Sequence, residues 1–371
     1  MKKNKISAVV LTIIIISVII TTGIEFNSMQ EEIPIYPSEG LTEKKQLSDY
    51  FEGLKDTPGD TEIYVFEGEE EGGSTLILGG THPNEPASNL TTIMLVENLK
   101  VDKGRVFVIT ESNKSAFTHN DPQEGSPHGY HIETTSGERY FKYGSRATNP
   151  IHQWPDPDVY IHSSGQKLSG SETRNLNRAY PGREDGTLTE KVAFGITSLI
   201  KEENIDVTID LHEASPEYPV INALVTHEKA SDIASMAIIE LQFQGIQMAL
   251  EASPKNLHGL SHRELGDFTD TYAMLMETAN PSQGRLRGAT TEELIVTGKD
   301  KIYEKAGEAG FLFVEFDENG HPISERVARH ATGIKEMINS FNMFNMGNEI
   351  ILKGIPSYEE IISNGIGSYL E

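Results

Sequence analysis

The chain of 371 residues sets 31 Lys and Arg against 56 Asp and Glu, a formal net charge of -25. That balance excludes the basic surface that nucleic-acid phosphates require and suits solubility instead. There is no cysteine, so disulfides and thiolate metal sites are excluded, and any metal must be held by His, Asp or Glu. An apolar content of 37% supports a substantial core, and the length fits one large domain or two ordinary ones.

The chain opens with a positive patch, Met1-Lys2-Lys3-Asn4-Lys5, followed by a charge-free run from Ile6 to Ile24. Such a run just reaches the roughly 20 residues that span a bilayer. It also has the charged start and apolar middle of a signal peptide, although Thr21 to Glu25 offers only a weak cleavage site. Residues 1–24 are therefore read as a retained anchor or a cleaved signal. Either places the rest of the chain outside the cytoplasm, tethered through residues 6–24 or secreted. Residues 25–60 read as a polar stalk, with a short amphipathic piece at Ser48 to Leu54; 61–345 as the main domain; and 346–371 as a tail of undefined structure.

Strand patterns are predicted at Glu62 to Phe66, Thr75 to Leu78 and Arg105 to Thr110. The last two flank a helix predicted over Ala87 to Leu99, a βαβ unit whose strands should run parallel with a right-handed crossover. From Glu111 to Gly186 the composition turns to Gly, Ser, Pro, His and Tyr without apolar periodicity. Its aromatics (Tyr130, Tyr140, Phe141, Tyr143, Trp154, Tyr160) argue for an ordered excursion forming a wall of the site. Thr187-Leu-Thr-Glu190 has capping-box spacing before a helix through Ile200. Beyond it come strands at Ile205 to Leu211 and Pro219 to Val225, and a long helix over Ile233 to Leu250. The last predicted elements are strands at Tyr272 to Met276 and Phe311 to Phe316 and a helix over Ser324 to Phe344. Alternating strands and helices point to an α/β sandwich, whose sites gather at the carboxyl ends of the strands.

Three residues sit where that rule expects a site: His82, His212 and Glu277 each come directly after an apolar strand. The stretch TLILGGTHPNEPASNL, from Thr75, delivers His82 and Glu85 where a buried strand turns into a helix, and the paired Gly79-Gly80 permit a sharp turn beside them. His82, Glu85 and His212 together supply a ligand set used by catalytic zinc, which leaves one coordination position open. Asp210 or Glu213 could orient a ligand imidazole, with Glu213 expected to be a solvated carboxylate.

Four motifs in order, GGTHPNEPAS, RNLNRAYPG (Arg174 to Gly182), IDLHEA (Ile209 to Ala214) and METAN (Met276 to Asn280), resemble those of the zinc carboxypeptidases. More particularly they resemble the succinylglutamate desuccinylase/aspartoacylase branch, over roughly Glu62 to Phe316. The resemblance implies a three-layer α/β/α sandwich with a mixed, mostly parallel sheet, one zinc ion per chain, and hydrolysis of an amide next to a carboxylate. It implies His82, Glu85 and His212 as zinc ligands, with Asn177 and Arg178 as the pair gripping a substrate carboxylate, a task suited to the planar guanidinium fork. Glu277 matches the catalytic glutamate that takes a proton from the attacking water and passes it to the leaving nitrogen. The oxyanion-stabilising arginine is assigned to Arg146, with Arg139 and Arg174 as competitors, because the loop before Asn177 is longer than usual. Asn113 to Ala116 resembles a pocket-lining segment; no proton-donating tyrosine is assigned; His258 and His262 are expected as hydrogen-bonded surface histidines.

The functional expectation is a zinc-dependent amidohydrolase that deacylates an N-acyl amino acid. The alternatives are an extracytoplasmic metallocarboxypeptidase acting on peptides or cell-wall peptides, favoured by the N-terminal segment, and a non-catalytic tethered binding module.

Overall fold

The computed structural model describes residues 2–121 and 125–371; Met1, the first residue of the positive patch, lies outside them. Helix α1 (Lys2–Ser28) carries the apolar run. Its segment Asn4–Ser28 is long and apolar enough to cross a membrane, and none of that stretch is buried against the rest of the chain.

One sheet organises the chain beyond α1. In chain order it takes β1 (Glu43–Gln46), β2 (Glu62–Glu67), β3 (Glu70–Leu78) and β4 (Lys100–Ile109), with α2 (Pro86–Asn98) between the last two. The excursion contributes two hairpins, β5–β6 (Gly129–Thr134, Gly137–Lys142) and β7–β8 (Val159–Ile161, Lys167–Ser169), outside the main sheet. Then come α3 (Leu188–Glu202), β9 (Val207–Ala214), β10 (Ala223–Thr226), α4 (Ser231–Phe243), β11 (Ala249–Ala252), α5 (Ser261–Phe268) and β12 (Tyr272–Ala279). Two short helices, α6 (Glu292–Thr297) and α7 (Lys301–Glu308), lead to the long α8 (Ile323–Phe344), β13 (Ile351–Lys353) and α9 (Tyr358–Asn364). The sheet order is β1-β2-β4-β3-β9-β12-β10-β11, with β13 also on β4. The central strands β4, β3, β9 and β12 run parallel to one another, and antiparallel pairings of β1, β2, β10 and β13 make the sheet mixed.

The period-2 alternation of these strands divides the core. Ile77, Val106, Val108, Ile209, Leu211, Met274 and Met276 belong to a cluster with the apolar faces of α2, α4 and α8. Leu76, Leu78, Phe107, Ile109 and Ala273 belong to another with α3 and Leu265 of α5. Burying each such side chain contributes about 1.5–3 kcal/mol, so helices cover both faces and the result is an α/β/α sandwich. The even residues of β9, Asp210 and His212, therefore face the α3–α5 side, opposite Ile209 and Leu211.

Several expectations need correcting. The stalk enters the fold: β1 pairs with β2, and Leu47 and Leu54 are fully buried against α3. The helix predicted to Leu250 ends at Phe243, because Gly245 takes φ +78 and the chain turns back to add β11 at the sheet edge. The strand predicted at Phe311 to Phe316 is irregular; Phe313 N–H donates to Pro216 O rather than to a ladder, and Phe313 is exposed. The tail is ordered, with β13 on β4 and Ile361, Ile366 and Leu370 buried. The capping box at Thr187 and Glu190 is formed as predicted.

An ion cluster ties the β1 edge to α3's end. Glu203 accepts from Tyr50 Oη (2.6 Å), Lys45 Nζ (3.0 Å) and Arg105 Nη1 (2.7 Å). Burial works against its ionisation, but these hydrogen bonds overcome it and hold the carboxyl down to about 2, below the ordinary 4.5. A depressed acid contributes stability above its ordinary pKa that is lost as pH falls through the folded value. Glu203→Gln should therefore cost about 1–2 kcal/mol at neutral pH. In chemical denaturation the gap to the wild type should close between pH 4.5 and 2; a gap that stays constant through that window would count against the assignment.

Candidate active site

The site is built at the carboxyl ends of β3, β9 and β12. After β3 the chain turns at Gly79-Gly80, where Gly80 adopts φ +65 and an added Cβ would sit 2.6 Å from Thr110 O. The turn places His82 beside the end of the sheet and Glu85 as the residue capping α2, with Pro86 starting the helix. His212 lies within β9 rather than after it.

These three buried side chains converge. His82 Nδ1 is 2.8 Å from Glu85 Oε1, and His212 Nδ1 is 2.9 Å from Glu85 Oε2. One ligand atom from each residue lies within 4.8 Å of the others, and the two imidazoles meet edge to face at 4.7 Å between centroids. The outward nitrogens are held: His82 Nε2 by Asn175 Oδ1 and His212 Nε2 by Asp210 Oδ2, each at 2.9 Å. Both partners are acceptors, so they hold protons on the outward nitrogens, while the inward Nδ1 atoms face the Glu85 carboxylate. With the inward protons released, the two imidazoles and the carboxylate make the donor set of a divalent cation site. Asp210 is itself fixed by Thr81 Oγ1 (2.9 Å) and Ser261 Oγ (2.5 Å).

The electrostatics arise from the same contacts. Burial and the Arg146 guanidinium lower His82 to about 4. Burial also opposes charge on His212, but Asp210 and Glu85 flank it and raise it well above the usual range. Glu85, though buried, is held well below the carboxylate range by the two imidazoles. Gln283 Nε2 (2.6 Å), Glu213 N–H (3.0 Å) and Arg146 Nη1 (3.2 Å) also donate to its carboxylate.

Glu277 stands on β12 in register with His212 on β9, so the two side chains share a face. Its Oε2 is buried without a hydrogen-bond partner, and burial, then the Glu85 charge, push its carboxyl up to about 8. His82, Glu85, His212, Glu277, Arg146, Asn177 and Arg178 all line one cavity of about 440 Å³. Asn177 Oδ1 accepts from Ser261 N–H (2.8 Å). Arg178 Nη1 donates to Asn177 O (2.7 Å), while its nearest carboxylate, Glu172, is 3.6 Å away.

The three candidate arginines separate. Arg139 pairs with Glu97 at 2.7 Å and donates to Pro34 O and Glu371 O; Arg174 pairs with Asp156. Neither is among the residues lining the cavity, and Arg146 is. Asn113 to Ala116 does not line it either: Ala116 O accepts from Ser145 N–H (3.0 Å), supporting the loop that carries Arg146. His262 is buried and lines the cavity, with Nδ1 on Ser253 Oγ, whereas His258 bonds Glu264. Glu213 is not solvated: it is buried and paired with Arg326 at 2.7 Å. Asn175 and Gln283 join the site without having been expected there. Asn175 lies inside the RNLNRAYPG motif, where its neighbour drew the assignment; Gln283 carries no sequence signal.

No family model matches the chain. Among curated proteins it is 34% identical over 65 residues to the N-alpha-acetyl-L-2,4-diaminobutyric acid deacetylase of Halomonas elongata, a match covering 18% of this chain and 19% of that protein. The solved structures similar to it include the cell shape determinant protein Csd4 of Helicobacter pylori, with 14% identity, TM-score 0.45, and coverage of 82% of this chain and 59% of Csd4. A succinylglutamate desuccinylase from Silicibacter sp. TM1040 aligns with 15% identity, TM-score 0.38, over 69% of this chain and 66% of that one. The chain thus spans about a fifth of the curated relative that it matches, 59% of Csd4 and 66% of the desuccinylase.

Proposed function

We propose that the chain is a metal-dependent hydrolase that cleaves an amide bond next to a carboxylate, with N-acyl amino acids as its substrate class. The observation that carries this reading is the meeting of His82, Glu85 and His212 in one cavity with Glu277, whose carboxylate oxygen has no partner. His82, Glu85 and His212 would hold one zinc ion, a choice that rests on the imidazole-and-carboxylate donor set. When bound, the cation supplies positive charge that polarises the scissile carbonyl, acidifies water and offsets the Glu85 charge felt by Glu277.

The chain's own groups do the rest. Arg178 and the Asn177 amide bind the substrate carboxylate, Arg178 by a forked pair of hydrogen bonds. Arg146, at the Glu85 side of the cavity, donates to the oxygen that gains charge as the carbonyl is attacked. Glu277 accepts the proton of the attacking water and returns it to the leaving nitrogen, so one group serves as base and then acid. A peptidase acting outside the cytoplasm is the second reading. The exposed helix Asn4–Ser28 favours it, because such a segment exports or tethers the domain behind it.

The test uses the full chain in detergent. Metal analysis should find about one zinc per chain, and chelation should abolish hydrolysis of a panel of N-acyl amino acids and dipeptides, with zinc restoring it. Loss of a ligand in His212→Ala should lower zinc occupancy by at least tenfold. Activity that persists after complete metal removal would end the proposal, and a metal-free, inactive chain would favour the tethered binder.

A further inference from the structure

We infer that the cavity selects a leaving amino acid with a cationic side chain, and that Glu251 on β11 is the residue that reads it. The inference deepens the reading above and rests on it, since it takes Arg178 as the carboxylate end of the substrate site.

Strand register brings Glu251 to the site. Asp210, Leu275, Val225 and Glu251 are paired residues on the adjacent strands β9, β12, β10 and β11. Paired residues project to the same side of a sheet, and the Asp210–His212 contact fixes that side as the site. Leu275, Val225 and Glu251 accordingly line the cavity. Glu277 lies two strands and two residues from Glu251, so their backbones are roughly 12 Å apart at ordinary strand and residue spacings. With the scissile nitrogen at Glu277 and the carboxylate on Arg178, a side chain of lysine length reaches Glu251. On the way it passes the apolar walls formed by Val225, Leu275 and Leu260. The methylenes would be covered and the ammonium would meet a carboxylate.

Glu251 is exposed on the edge strand at the cavity, and among the described residues it forms no ion pair and no side-chain hydrogen bond, so its carboxylate is open to an incoming ammonium. The nearby Lys255 is turned to Glu228 (3.3 Å). Charged residues on exposed edge strands commonly serve only to prevent strand pairing; such a charge need not face a substrate cavity, and Glu251 does.

The test measures binding as well as turnover. Calorimetric titration of the zinc-loaded full chain with the products L-lysine and L-norleucine should show lysine binding about tenfold tighter. kcat/KM for N-acetyl-lysine over N-acetyl-norleucine should show the same preference. In Glu251→Gln both ratios should collapse to near one. Glu251→Arg should reverse the preference toward L-2-aminoadipate, a gain that a misfolded variant cannot produce. Equal binding of lysine and norleucine by the wild type, or a lysine preference surviving in Glu251→Gln, would overturn the inference. Hydrolysis without lysine preference removes this inference alone, whereas selective binding without hydrolysis of any substrate removes the hydrolase reading and leaves Glu251 as a cation site.

Discussion

Glu277→Gln should lower kcat by about 10³-fold while leaving zinc content unchanged. Glu277 contributes no atom to the His82–Glu85–His212 cluster, so the metal does not depend on it. The substitution is isosteric and keeps the packing on β12, but an amide cannot take a proton from water. The same variant tests the electrostatics independently of any substrate. In the metal-free chain burial and Glu85 raise the Glu277 carboxyl to about 8 from the ordinary 4.5. A carboxyl raised by folding contributes stability that is fully present below 4.5 and is lost as pH rises through 8. The metal-free Glu277→Gln chain should therefore melt above the metal-free wild type at pH 8, with the difference vanishing near pH 4. A gain in stability alongside a loss of activity is the usual trade at such a position. Wild-type turnover by the variant, or equal melting at pH 8, would remove Glu277 from the proposed role.

Short-range pattern made part of this molecule legible in advance. His82, His212 and Glu277 stand out because each comes at the end of an apolar strand, and strand ends collect sites in α/β sheets. The alternation in β2, β3 and β4 likewise announces the two faces of the sheet. Contacts between distant segments leave no such trace. Asn175 meets His82 across 93 residues and Gln283 meets Glu85 across 198, and no spacing rule connects such pairs. The boundary between α4 and β11 is hidden because Ile246 and Met248 are buried, so the apolar run continues while Gly245 ends the helix. The opposite error arises at Phe311 and Phe313, apolar residues that the fold leaves exposed.

Arg326→Met should destabilise the chain by about 3–5 kcal/mol, because it strands a buried carboxylate. Arg326 lies on α8 with its side chain 1% exposed; it donates to Glu213 Oε1 at 2.7 Å and to the carbonyl of Ile295. The other oxygen of Glu213 accepts from Ala87 N–H in the first turn of α2 at 2.8 Å. Burial raises the Glu213 carboxyl in spite of its partner, so the guanidinium offsets only part of the desolvation cost. A loss of that size is a large share of the roughly 5–15 kcal/mol typical of a folded protein. The double variant Glu213→Gln, Arg326→Met should recover a good part of it, since removing both charges leaves no uncompensated ion. Zinc affinity should fall with Arg326→Met as well, because Glu213 also gives its N–H to Glu85 Oε2 and anchors the helix that Glu85 caps. Urea denaturation with and without zinc separates the two effects. Stability of Arg326→Met within about 1 kcal/mol of wild type would mean that water reaches Glu213 and that α8 does not brace the metal ligands.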